Sequence, residues 1–235
     1  MKRARKILLV CAAVIIGVYV AYQLLFPTVY LRLRLTLDVD VDGVTRTGSG
    51  VVEISYWILP DSLAGVAGGT LFHGEMRGYA ITVDLGQPGL LFVVDSVPVL
   101  QRPRRDAMDS PGSYLGSLPL VTYGFLGDDL PSFMERAIRQ VQAKSGPIEV
   151  PLGKLPMMVR FADINDKRSI EEVDPHDLAS AFGPGVQLKR ATVEITRDPI
   201  SPLPPIWPVW LNKDTSTTTW PASRFMISTY AFKGK

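Results

Sequence analysis

Few residues in this chain could carry chemistry. His73 and His176 are the only imidazoles. His73 and Glu75 are two positions apart, so on a strand they share one face. His176, with Asp177 beside it, could add a third ligand to a divalent metal. These residues lie far apart in sequence and form no H-E-x-x-H pair, so solvated or hydrogen-bonded structural roles compete with the metal reading. Ser49 sits in Thr-Gly-Ser-Gly, which lacks the G-x-S-x-G spacing of a nucleophile elbow. Asp163-Ile-Asn165-Asp166 opens like a calcium loop, but Lys167 and Arg168 then fall where a ligand and a glycine are needed. A polar turn accounts for that stretch better. Arg102, Arg104 and Arg105 could meet an anionic lipid or a partner, although Asp106 and Asp109 follow them. Trp207 and Trp210, in ISPLPPIWPVW, suit either a docking segment or a cover over the domain's own core. There is no phosphate-binding loop, dinucleotide fingerprint or nucleic-acid motif, and no cofactor is implied.

The charge balance matters only once it is placed along the chain. The 235 residues carry 25 Lys+Arg and 23 Asp+Glu, a net of +2. That is too small for binding nucleic acid through bulk charge. Lys2, Arg3, Arg5 and Lys6 supply four of the cations within the first six positions. Residues 7–26 are uncharged and apolar. As a helix, 20 such residues rise about 30 Å, the thickness of a bilayer's hydrocarbon. The basic tip before them predicts a cytoplasmic N-terminus and a body outside the cytoplasm. Tyr19, Tyr22 and Phe26 fall toward the far end, where aromatic side chains favour the interface. A cleaved signal peptide is the competing reading, but no A-x-A-like site closes the run: Ala21 is preceded two positions earlier by Tyr19. Cys11, the one cysteine, lies within the run, so the body cannot form an internal disulfide. The expected division is a basic tip over 1–6, a transmembrane anchor over 7–26 and an extracytoplasmic domain over 27–235.

The elements that must position any site begin with YLRLRLTLDVDVD over 30–42, where apolar and polar residues alternate strictly. Asp42-Gly43 predicts a two-residue hairpin turn. That turn pairs Arg32 with Glu53, Leu33 with Val52 and Leu31 with Ile54, and sets Gly48 and Gly50 on the buried face opposite Leu37 and Leu35. Two glycines there predict a bulge or the close approach of another element. Arg46 would point inward near the tip, so the tip should be open to water. Further strands are expected over 70–85, 90–95, 157–163, 186–196 and 224–232, with a disturbance of phase at Arg190-Ala191 that a bulge would explain. Two helices are expected: 131–144, capped by Asp129 and stopped by Gly146, and 174–182, capped by Asp174 and stopped by Gly183. The stretches 97–119 and 200–210, each with four prolines, read as irregular. The class is α+β, with an N-terminal transmembrane helix and a body of antiparallel strands with about two helices.

Two blocks carry a resemblance. They are Arg34-Leu-Thr-Leu with Gly48-Ser-Gly-Val-Val-Glu53-Ile, and the more specific segment that runs from Val159-Arg-Phe-Ala-Asp163 through Phe182-Gly-Pro-Gly to Val193-Glu-Ile-Thr196. Over roughly a third of its length the chain resembles uncharacterised proteobacterial proteins with one N-terminal membrane segment. The resemblance implies a bacterial inner-membrane anchor and a periplasmic body, with no activity to carry over. The expectation is an envelope protein whose body binds, as an accessory or scaffold, to another envelope component. A metal-dependent envelope enzyme using His73, Glu75 and His176, and a subunit held in a larger membrane complex by its anchor, stand beside it.

Overall fold

The computed structural model describes residues 2–25, 28–58, 72–98, 100, 114–125, 134–213, 219–221 and 226–234. They form an α+β fold of antiparallel sheets with six helices. Helix α1 is Lys2–Leu25. The strict alternation after it makes β1, Thr28–Val41, whose odd-numbered side chains are buried from Val29 to Val39. Asp42 and Gly43 turn the chain with φ of 52° and 84°, the left-handed conformation such a hairpin requires. Strand β2, Val44–Ile58, then pairs back with β1 in the register expected: Arg32 opposite Glu53, Leu37 opposite Gly48 and Leu35 opposite Gly50.

The expected strand over 70–85 is two strands. Chain direction changes at Gly78, whose φ is 128°. Strand β3, Phe72–Arg77, pairs with β2, whereas β4, Ile81–Asp84, joins a second sheet with β5, Leu90–Val93. Apolar residues recur on both sides of the corner, at Phe72 and Met76 before it and Ile81 and Val83 after it, and the glycine permits the change of sheet.

Helix α2, Tyr114–Thr122, occupies part of the stretch read as irregular. Its first seven residues are buried, Pro119 among them. The proline removes a donor from the helix, and burial of Leu115, Leu118 and Leu120 outweighs that loss. Helix α3, Met134–Gln142, falls within the expected 131–144; Asp129 lies outside the described residues. The short strand β6, Ile148–Glu149, precedes β7, Met158–Phe161, and β8, Ile170–Val173. Helix α4, Leu178–Phe182, starts later than expected. Its cap is Asp177, which accepts the Ser180 amide, while Asp174 accepts the His176 amide in the turn before it. Gly183, at φ 99°, ends it.

Strand β9, Val186–Ile195, pairs with β1. Asp38 faces Arg190 and Val39 faces Leu188, so Lys189 is the extra residue of a bulge. Inward positions are even-numbered before it, at Val186 and Leu188, and odd-numbered after it, at Ala191 and Val193. Helix α5, Val209–Lys213, leads to β10, Thr219–Pro221, and β11, Met226–Ser228. The strand expected over 224–232 stops at Ser228, whose hydroxyl caps α6, Thr229–Phe232.

The first sheet has the order β3-β2-β1-β9-β6, and the second β4-β5-β7-β8. One core joins Leu31 through Val39, Val52, Ile54 and Tyr56 to Ile81, Val83, Leu91 and Val93 of the second sheet, with α2 and α3 contributing Leu118, Ile138 and Val141. The opposite face of the second sheet presents Phe92, Val94 and Val159 to a second core formed with Trp207, Leu211, Ile227 and Phe232. The second sheet is thus buried on both faces, and the C-terminal segment is its outer cover.

Candidate functional site

The structure does not bring His73 and His176 together. The His73 backbone pairs with Trp57, which pairs with Thr28 at the start of β1. His176 lines a 440 Å³ cleft with Asp177 and Val186, and Val186 pairs with Val41 at the other end of β1. Thirteen strand steps separate those ends, about 40 Å. A metal bound at about 2 Å from each imidazole cannot span that length. Among the described residues no group of three His, Cys, Asp or Glu is placed to hold a metal ion. Asp163 and Asp166 use their carboxylates to accept the amides of Asn165 and Arg168, as turn-forming residues do.

Arg102, Arg104 and Arg105 lie outside the described residues. Trp207 and Trp210 belong to the second core. The Trp207 ring meets Tyr79 and Phe92 edge-on, with centroids 5.6 Å and 6.2 Å apart, and only 8% of the residue is exposed. Its indole N–H is buried without a partner among the described residues. Trp210 stacks edge-on against Phe161 and donates its indole N–H to the Ile164 carbonyl. Lys6 is exposed on α1, which also holds Lys2, Arg3 and Arg5.

The outward face of the first sheet is a charged and hydroxylated surface whose groups satisfy one another. Glu53 accepts from Arg32 at 2.8 Å and from Arg77 at 3.1 Å. Arg34 pairs with Glu194 and Asp198. The Thr47 hydroxyl and then the Arg190 guanidinium hold the Asp38 carboxyl below the usual carboxylate range. Lys189 does the same for Asp40, joined by the Gly43 amide. On the other face, burial first and the charge of Asp95 second push the Tyr56 phenol far upward, so it stays a neutral donor to the Gly116 carbonyl.

A groove of 280 Å³ lies where β2, β4 and the proline-rich segment meet. Ser49 and Gly50 form one side, Ile81, Thr82 and Asp84 the second, and Leu203 and Ile206 the third. The glycines make this junction possible. A Cβ at Gly48 would meet the Thr82 carbonyl and stand 2.6 Å from Val83 Cγ2; one at Gly50 would stand 3.0 Å from Ile81 Cγ1. Close approach of another element is what the two buried-face glycines predict.

The groove also contains part of a sheet edge. Strand β4 is the outermost strand of its sheet. Leu85 donates to the Gly89 carbonyl, so alternation directs the N–H and C=O groups of Ile81 and Val83 toward β5. Those of Gly78, Ala80, Thr82 and Asp84 point away from it. The chain's own C-terminal segment takes the first two: Ala80 donates to the Phe232 carbonyl, and Gly234 donates to the Gly78 carbonyl. The antiparallel register would next bring residue 230 to Thr82, but residues 229–232 are helical and leave the edge. Among the described residues no strand continues the pairing along Thr82 and Asp84; the Thr82 carbonyl lies against Gly48 of β2, and its N–H is the outward donor there. Sequence reading missed this edge because a four-residue strand has no signal for which side is paired; the usable signal was the glycine pair opposite it.

No family model matches the chain, and neither a curated protein nor a solved structure matches it.

Proposed function

We propose that the protein is a single-pass, membrane-anchored envelope protein whose β-rich body is a binding module. In this reading the basic tip is cytoplasmic, residues 7–26 cross a bacterial inner membrane, and the body is periplasmic. The body takes an extended segment of an envelope partner in the groove beside β4, with the outward N–H of Thr82 as a main-chain donor to it. The observation that carries the binding reading is the register at that edge: the C-terminal segment already adds to Gly78 and Ala80 and stops one pair short of Thr82. Added strands of this kind gain affinity from main-chain hydrogen bonds and specificity from side-chain pockets. Ile81, Leu203 and Ile206 offer an apolar wall to such side chains.

The anchor is supported by the sequence of residues 7–26 and by the surface of α1. All side chains over 9–22 are exposed, including Ile15 at 68% and Val18 at 65%, on every side of the helix. An apolar helix with no polar face is suited to lipid and not to water. Those 14 residues rise about 21 Å. Among the described residues no helix is long and apolar enough to cross a membrane, so the span itself is read from the sequence of residues 7–26.

Selection of random heptapeptides against the full chain in detergent tests the edge. The enriched peptides are expected to protect the Thr82 and Asp84 amides from hydrogen exchange, and to bind Thr82→Pro at least tenfold more weakly, because proline removes the outward donor. Equal thermal stability of the variant excludes unfolding as the cause. No enrichment, or peptides indifferent to Thr82→Pro, contradicts the reading.

A further inference from the structure

We infer that the body also docks against its own membrane through the basic face of α3, with anionic phospholipid headgroups as the partner. This rests on the anchor reading above.

The short tether positions that face. Three residue steps join Leu25, the last residue of α1, to Thr28, the first of β1. Three steps span at most about 11 Å, and the five to Tyr30 at most about 18 Å. The Tyr30 carbonyl accepts the Gln142 side-chain amide at 2.9 Å, which ties the C-terminal end of α3 to the first strand residues leaving the anchor. Tyr30 is 57% exposed, an amphipathic ring suited to the headgroup level.

The chemistry of the face is cationic. Ala137, Ile138 and Val141 are buried, which turns Arg136, Arg139, Gln140 and Gln142 outward. Lys144 continues the face, with its ammonium 6.0 Å from the Tyr123 ring centroid and 5.9 Å from that of Phe125. From 136 to 148 there are three cations and no acid; Glu135 and Glu149 flank the stretch. A basic residue held near an anionic bilayer shifts the docked population about fivefold, and the net charge of +1 over residues 135–149, three cations against two acids, sets the expected shift at about that factor.

The full chain in lipid nanodiscs supplies the test, with Cys11→Ser and a spin label on Gln140→Cys. In discs containing phosphatidylglycerol the label should lose at least half of its accessibility to an aqueous relaxing agent relative to discs of phosphatidylcholine alone. High salt should restore it, as should Arg136→Gln, Arg139→Gln and Lys144→Gln combined, since exposed charge interactions are screened. Equal accessibility in the two lipids, with the chain retained in the disc, overturns the docking surface and leaves the anchor standing. Failure of the chain to co-elute with the disc overturns the anchor and the docking surface together.

Discussion

Gly48 and Gly50 show how single residues govern the meeting of the two sheets. Each occupies a buried position of β2 facing β4, where any side chain meets neighbouring atoms. Gly48→Val should destabilise the fold by about 3 kcal/mol, because the added atoms meet backbone and a packed valine and not a movable side-chain end. Chemical denaturation of variant and wild type measures this, and a change under 1 kcal/mol would contradict the packing described. Asp38 sets an acid response. Its carboxyl is held below the usual range by Thr47 and Arg190, so its contribution is fully present above the unfolded value of about 4 and is lost as pH falls through the lower folded value. Asp38→Asn has no such group to titrate. Wild type should therefore lose more Tm than Asp38→Asn between neutral and strongly acid pH, and equal losses would refute the assignment.

At the scale of elements, legibility followed the strength of the local pattern. The β1–β2 hairpin was readable to the residue because alternation over twelve positions and an Asp-Gly turn specify one register. The phase disturbance in β9 was readable as a bulge, though the extra residue is Lys189 and not the Arg190-Ala191 pair itself. Helix α2 was not readable, since proline and glycine lower its local propensity and burial alone sustains it. The start of α4 is not legible locally because Asp174 and Asp177 can both cap, and the chain uses the first for a turn. Asp177→Ala should therefore cost about 1 kcal/mol as a lost helix cap. Loss of protection at the Ser180 amide in hydrogen exchange is the accompanying signature, and an unchanged amide would place the cap elsewhere.

For the molecule as a whole, sequence placed chemistry-bearing residues without telling which would meet. His73, Glu75 and His176 were grouped by residue type, and the long hairpin separates the two histidines by its full length. Trp207 and Trp210 were readable as a docking segment or as core, and the aromatic cluster around Phe92 and Phe161 takes them as core. The groove and its sheet edge arise from three segments remote in sequence, which no local pattern encodes. In the proposed reading an anchor is followed almost at once by the central strand of the first sheet. Membrane topology tests that claim most directly. In intact cells expressing the full chain, externally added protease, after permeabilisation of any outer membrane, should degrade the body and leave a tag before Lys2 intact. The protein should also resist alkaline carbonate extraction. A body protected from that protease, or a chain released by carbonate, would contradict the anchored, extracytoplasmic reading.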